Sequence, residues 1–172
     1  MARNYFKGKF SPKNPSKYIG DIAKIIARSS WEYAAFKWCD ENTSIICWAS
    51  EEKIIPYVSP LDGKTHKYYV DLVIRYKHKA GDEKVALIEI KPFNQTQKPI
   101  PPKKKSKYYI EECKTYVINT VKWQAAVNYC KKIGIDFVLW TDKGTIILTD
   151  SMEFLVEGDV PQINKVIKNV NG

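Results

Sequence analysis

The sequence places a carboxylate and an ammonium two residues apart in Val85-Ala86-Leu87-Ile88-Glu89-Ile90-Lys91, and a lone Asp71 inside Tyr68-Tyr69-Val70-Asp71-Leu72-Val73-Ile74-Arg75. Side chains alternate across a strand, so Leu87, Glu89 and Lys91 project from one face, with the acid beside the base. Asp71 interrupts an apolar and aromatic run, where strand propensity and the cost of desolvating a charge both oppose it. A divalent cation would compensate it, since Mg²⁺ prefers one or two carboxylates together with water and phosphate oxygens. Held by Asp71 and Glu89, such an ion would polarise a scissile phosphate and lower the pKa of a bound water. Lys91 would orient the attacking water or steady the developing negative charge. The chemistry implied is phosphodiester hydrolysis. The competing reading is a surface ion pair between Glu89 and Lys91, with Asp71 satisfied by Arg75 or His66. A D…ExK pattern is weak by itself and gains from its context, the Asp in one strand and the ExK in the next.

The elements that must position these residues can be read from periodicity. Ser29-Ser30-Trp31-Glu32 opens a helix whose apolar positions Trp31, Ala34, Ala35, Trp38 and Cys39 recur at helical spacing. Ser29-x-x-Glu32 also fits a capping box, which gives Glu32 a structural role to set beside a catalytic one. Residues 45–58 read as one or two strands, and Ser59-Pro60-Leu61-Asp62-Gly63-Lys64 supplies a turn. His66–Lys77 reads as one strand, Ala80-Gly81-Asp82-Glu83 as a turn, and 85–91 as the strand that completes a hairpin. Pro92, Pro99, Pro101 and Pro102 keep the following loop out of helix and sheet. From about Lys107 to Ile133 the spacing predicts a long helix ending before Gly134, with Thr115 the one place it could break. Residues 135–140 and 145–149 complete the strands. Helix, strands, hairpin, helix, strand is an α/β order, a mixed β-sheet covered by helices.

At 172 residues and 44% hydrophobic, the chain suits one core. It divides into a basic extended arm (1–20), a central domain (21–150) and an acidic C-terminal tail (151–172). No apolar run is long enough to span a membrane, and the N-terminus lacks the apolar stretch of a secretory signal, so the expectation is a soluble cytoplasmic protein without membrane partners. Cys39, Cys47, Cys113 and Cys130 form no CxxC pair and read as free thiols. The net charge of +9 is unevenly placed: residues 1–28 carry seven basic side chains against Asp21, and Lys98, Lys103, Lys104, Lys105 and Lys107 form a run with no acid. Lysine clustered beside Tyr, Phe and Pro suits a polyanion such as DNA, while a solvated surface or an acidic protein partner would explain the charge equally. The five loop lysines and Lys122, on the long helix, are the candidate DNA contacts.

Arg28-Ser29-Ser30-Trp31-Glu32, Tyr69-Val70-Asp71 and Ile88-Glu89-Ile90-Lys91-Pro92, in that order, resemble the PD-(D/E)xK, restriction-endonuclease-like superfamily. Within it they are similar to the branch shared by transposon end-cleaving endonucleases and the head completion nucleases of T-even-type tailed phages. The likeness to the phage family extends to Tyr5-Phe6-Lys7-Gly8-Lys9-Phe10, to Pro56-Tyr57-Val58-Ser59-Pro60-Leu61-Asp62-Gly63-Lys64 and to Lys122-Trp123-Gln124-Ala125-Ala126. Val70 stands where the motif's proline would be.

The resemblance implies a restriction-endonuclease-like core, and a Mg²⁺ site (Mn²⁺ substituting) formed by Asp71 and Glu89 with Glu32 as a further carboxylate. Lys91 would be the lysine of the motif. It also implies a DNA endo- or exonuclease of little sequence specificity, acting on double-stranded DNA in phage head completion before head–tail joining. Portal, neck or capsid proteins would be its partners, in the host cytoplasm and the virion head or neck. The alternative is a structural head or neck component that keeps the fold and binds DNA or portal without cleaving. A site-specific restriction enzyme is disfavoured, because nothing in the sequence supplies a recognition domain.

Overall fold

The chain's β-branched and aromatic runs, punctuated by Pro, Gly and Asp turns, pair into three sheets. The structure is a computed structural model and describes residues 7–148 and 154–156. In chain order the elements are β1 (Gly8–Lys9), β2 (Ile26–Ala27), α1 (Ser30–Glu41), β3 (Ile45–Ser50), β4 (Ile54–Val58), β5 (Thr65–Tyr69) and β6 (Leu72–Lys77). They are followed by β7 (Glu83–Ile90), α2 (Lys107–Ile133), β8 (Asp136–Thr141), β9 (Gly144–Leu148) and β10 (Phe154–Val156). A six-stranded sheet of order β10-β9-β8-β7-β6-β3 forms the centre. Its neighbours are antiparallel except β7 and β8, whose parallel pairing needs the long crossover that α2 provides. This is the mixed α/β architecture that the sequence pattern predicts.

Two cores lie on the two sides of the sheet. Leu72, Ile74, Tyr76, Ala86, Ile88 and Trp140 face α1, where they meet Ala35, Phe36 and Cys39. Leu87, Phe137, Leu139 and Ile146 face α2 and meet Trp123, Ala126, Val127 and Cys130. The period-2 alternation of β7 thus sends Ile88 and Ile90 to one core and Leu87 to the other. Glu89 and Lys91 follow Leu87 in parity. All four cysteines are free thiols. No helix of the described residues is long and apolar enough to cross a membrane.

Three features differ from the sequence pattern. The run 66–77 is two strands, because the chain leaves one sheet and enters another at Val70-Asp71. Strand β5 pairs only with β4, in a separate ribbon, whereas β6 pairs with β3 and β7 in the main sheet. Helix α2 runs through Thr115 unbroken and ends at Gly134, whose left-handed φ of 72° suits a residue without Cβ. Finally, residues 8–20, read as part of an extended arm, lie on the body. Phe10 is 4% exposed and meets Tyr33, Phe36 and Trp48 edge-on. Tyr18 does the same to Trp48. Burying these rings outweighs the solvation of the lysines around them, which keep their ammonium groups near the surface. Residues 1–6 and, apart from β10, the tail 151–172 lie outside the described residues.

Candidate active site

The switch between ribbon and sheet puts Asp71 immediately before β6, beside the end of β7. The register pairs Leu72 with Ile88, and the Ile90 N–H donates to Asp71 Oδ2 at 2.8 Å. Glu89, 6% exposed, is held at both oxygens: the Tyr68 hydroxyl donates to Oε2 at 2.7 Å and the Lys91 ammonium lies 3.0 Å from Oε1. The first turn of α1 arrives at the same rim. Ser29 caps that helix by accepting from the Glu32 N–H at 3.1 Å, while Glu32 Oε2 accepts from the Arg28 N–H at 2.8 Å. That reach passes one residue beyond the usual capping box, which would end on Ser29 N–H. Glu32 therefore supports the helix entry with one oxygen, and Oε1 has no hydrogen-bond partner among the described residues. The helix-entry role of Glu32 thus uses Oε2 and leaves Oε1 without such a contact.

Electrostatics tie the four groups together. Burial, reinforced by the Glu89 and Glu32 carboxylates, pushes the Asp71 carboxyl well above the usual carboxylate range. Burial also raises Glu32, with Glu51 and Glu89 adding to it against the Arg28 N–H and the Arg28 charge. For Lys91, burial opposes the charged form, yet Glu89, Asp71 and Glu32 together outweigh it and hold the ammonium above its ordinary value. Burial and the neighbouring Glu89 and Asp71 push Tyr68 upward, so it stays a donor. Three carboxylates sharing one lysine in a desolvated rim is an electrostatic imbalance that a hard cation would relieve.

The donor set is all oxygen, which fits Mg²⁺ or Mn²⁺ rather than a soft metal. Among the described residues no three His, Cys, Asp or Glu side chains form a ready-made cation cage. The Lys91 ammonium occupies Glu89 Oε1. Neither residue proposed to satisfy Asp71 structurally does so, because Arg75 pairs with Glu83 and His66 with Asp62 at 2.8 Å. The Glu89–Lys91 pair does form, but at a buried carboxylate rather than on the surface.

The candidate DNA contacts separate into two groups. Lys122 Nζ lies 5.6 Å from the ring centroids of both Tyr57 and Tyr68, one side chain away from Glu89. Lys98, Lys103, Lys104, Lys105 and Lys107 are exposed, in the loop before α2 and at its first residue. They form no ion pair among the described residues and touch none of the four rim groups. Tyr68 escaped the sequence reading. Its only signal was its place in the aromatic run before Asp71, which reveals nothing of the sheet switch that aims it at Glu89.

This order of helix, mixed sheet and crossover is that of the restriction-endonuclease-like nucleases, and the chain belongs to the TnsA-like endonuclease N-terminal family, which it matches over residues 42–142. The matched span holds Asp71, Glu89 and Lys91, while Glu32 precedes it. Over 143 residues the chain is 41% identical to the head completion nuclease of Enterobacteria phage T4, an alignment covering 81% of this chain and 93% of that one. No solved structure matches the chain.

Proposed function

We propose that this protein is a Mg²⁺-dependent DNA nuclease of little sequence specificity that acts in phage head completion before head–tail joining. The observation that carries the chemistry is the gathering of Glu32, Asp71, Glu89 and Lys91 at one rim, with Asp71 destabilised as a free anion. The setting is supported by the 41% identity to a protein named head completion nuclease. That setting implies double-stranded DNA as substrate and portal, neck or capsid proteins as partners, within the infected cell.

Asp71 and Glu89 would hold the cation, with Glu32 Oε1 as the third oxygen donor. When bound, Mg²⁺ neutralises phosphate charge and acidifies a coordinated water. Lys91, whose ammonium sits at Glu89 Oε1, would present it to the scissile phosphate. There it steadies the charge that develops as water oxygen bonds to phosphorus and the P–O bond to the leaving strand breaks. The attacking water gives up a proton, the leaving oxygen takes one up and ends as a hydroxyl, and the other end keeps the phosphate. Tyr68 keeps Glu89 Oε2 engaged, so Oε1 is the oxygen presented. Lys122 and the loop lysines would meet phosphates rather than base edges, the contacts expected of a nuclease of little sequence specificity.

The test incubates linear and circular DNA with purified protein in Mg²⁺, Mn²⁺ or EDTA, beside Asp71→Ala and Lys91→Ala. Metal-dependent cleavage that falls by about 10²–10⁴-fold in either variant is expected. Cutting of the circle would identify endonuclease action. Equal degradation by all three proteins regardless of metal would overturn the assignment.

A further inference from the structure

Glu51 is the one non-glycine residue among the described residues with its backbone in the left-handed region, at φ 54°. Side chains with a Cβ disfavour that conformation, so something must hold it there. The residue sits where β3 ends, and its N–H faces the Asp71 carbonyl at 3.4 Å. Its carboxylate grips Arg28 by two points, Nε to Oε1 at 2.8 Å and Nη2 to Oε2 at 3.1 Å. Arg28 in turn gives its backbone N–H to Glu32. One strained residue thus links a guanidinium to the backbone of Asp71, and the same arginine is tied to Glu32.

An exposed ion pair contributes little to stability, so the Arg28–Glu51 contact alone does not account for a strained backbone. The geometry of the fork supplies another reason. A guanidinium has N–H groups on two usable edges. Glu51 takes the edge formed by Nε and Nη2, and the edge formed by Nη1 and the second Nη2 hydrogen meets no acceptor among the described residues. The Arg28 side chain is 57% exposed, so that edge is open to a ligand. Its spacing matches two oxygens of one phosphate. Because Glu51 already fixes the planar group, little further side-chain freedom is lost on binding.

We propose that Arg28 is a phosphate-binding residue of this site, its free edge receiving a DNA phosphate at or beside the scissile position, and that Glu51 is the positioning residue that aims it. The proposal rests on the nuclease reading above. Arg28 supplies the positive charge that a phosphate approaching three carboxylates needs, from a side chain that Lys91 and Lys122 do not duplicate.

The test measures binding of a short labelled duplex by fluorescence anisotropy across a salt series, with Ca²⁺ in place of Mg²⁺, alongside melting temperatures and cleavage in Mg²⁺. Arg28→Met should bind about tenfold more weakly, with the slope of log affinity against log salt reduced by about 0.9, one phosphate contact. Arg28→Lys should keep the slope, lose several-fold in affinity because the fork is gone, and raise KM more than it lowers kcat. Glu51→Gly permits the left-handed φ and removes the carboxylate together with the rest of the side chain. It should melt no lower than the unaltered protein, yet bind and cleave more weakly with the slope unchanged. A fall in stability without loss of binding would mark a structural residue and overturn the positioning role. Arg28→Met with the unaltered slope and affinity would overturn the phosphate contact, and if that variant fails to fold, Arg28→Lys with unaltered affinity would overturn it instead. An unaltered protein that binds no DNA would overturn this proposal and the nuclease reading together. An unaltered protein that binds and cleaves, beside variants that match it, overturns this proposal alone.

Discussion

Asp71 accepts one backbone hydrogen bond, from Ile90, and otherwise faces Glu89, Glu32 and a lysine already engaged by Glu89. Its raised pKa has a consequence for stability whose sign can be worked out. In the unfolded chain an Asp titrates near about 3.9; in the fold, burial and the two glutamates move it upward. Between those values the native state binds more protons than the unfolded one, so stability falls as pH rises through the window. Below the unfolded value the contribution is fully present, and above the folded value it is gone. Asp71→Asn, neutral at every pH, should therefore melt higher than the unaltered protein at pH 8 without metal and show a flatter pH profile, while losing cleavage. Mg²⁺ should raise the melting temperature of the unaltered protein more at pH 8 than at pH 5 and leave Asp71→Asn nearly unmoved. Thermal denaturation by circular dichroism at the two pH values, with Mg²⁺ or EDTA, checks all of this. An Asn variant less stable than Asp at pH 8 would contradict it.

At this scale the sequence showed Asp71, Glu89 and Lys91 because each violates its strand's apolar pattern or sits at fixed parity to a neighbour. Arg28 and Glu51 were illegible as a pair. Twenty-three residues separate them, Arg28 is one base among seven in the first 28 residues, and a left-handed φ at a glutamate has no sequence signal. The helix-entry role of Glu32 was visible as a capping box, but its use of Oε2 on the Arg28 N–H, one residue beyond the box, depends on geometry that spacing does not specify.

Among elements, the ribbon of β4 and β5 is joined to the main sheet by Val70 and Asp71 and is tied to it again by the Tyr68–Glu89 hydrogen bond. Pattern predicted β5 and β6 as one strand, since the apolar alternation runs through Val70; the switch of sheets is a tertiary decision. Tyr68→Phe keeps the ring in its apolar setting and removes only the hydroxyl. A buried hydrogen bond to a charged acceptor is worth about 1.5–3 kcal/mol, so urea denaturation should show a loss of that order. Without its anchor Glu89 loses a fixed orientation, and affinity for Mn²⁺, measured calorimetrically, should fall about 10–100-fold. A Phe variant with unchanged metal affinity would leave Tyr68 with a packing role only. The lysine loop is a separable element: Lys103, Lys104 and Lys105 changed together to Gln should lower the salt dependence of DNA binding by about 2–3 units of slope. Because the loop touches none of the rim groups, kcat should change far less than KM. A proportional fall in kcat would place these lysines nearer the chemistry than the structure does.

For the whole molecule, the matched span 42–142 omits α1 and residues 8–27, which complete one of the two cores. Phe10, Tyr18, Ile25, Ala35 and Phe36 pack with Trp48, Ile74, Ile88 and Trp140. The N-terminal segment is fastened to the end of α1 by Asp40, 1% exposed, which accepts from the backbone N–H groups of Lys13 at 2.8 Å and Asn14 at 3.1 Å. Lys17 Nζ closes the clasp on the carbonyls of Cys39, Asp40 and Asn42, each at 2.8 Å, where the negative end of the helix dipole favours a cation. Charge and proline content pointed to an extended arm, and they do describe its surface; what they missed is that two aromatic rings, the Asp40 carboxylate and the Lys17 ammonium dock it. Asp40→Ala removes the acceptor of two part-buried N–H groups and should cost about 1–2 kcal/mol, read by urea denaturation. Because the clasp lies at the end of α1 opposite Glu32, the folded variant should cleave DNA with an unchanged kcat at low temperature and lose activity only as it unfolds. A fragment of residues 42–142 should fare worse, exposing the Trp48 side of the sheet. Its tryptophan emission should be red-shifted, it should bind a hydrophobic dye, and it should show no cooperative melting transition. A fragment that melts cooperatively with blue-shifted emission would show instead that the N-terminal segment and α1 are additions to a core that is already complete.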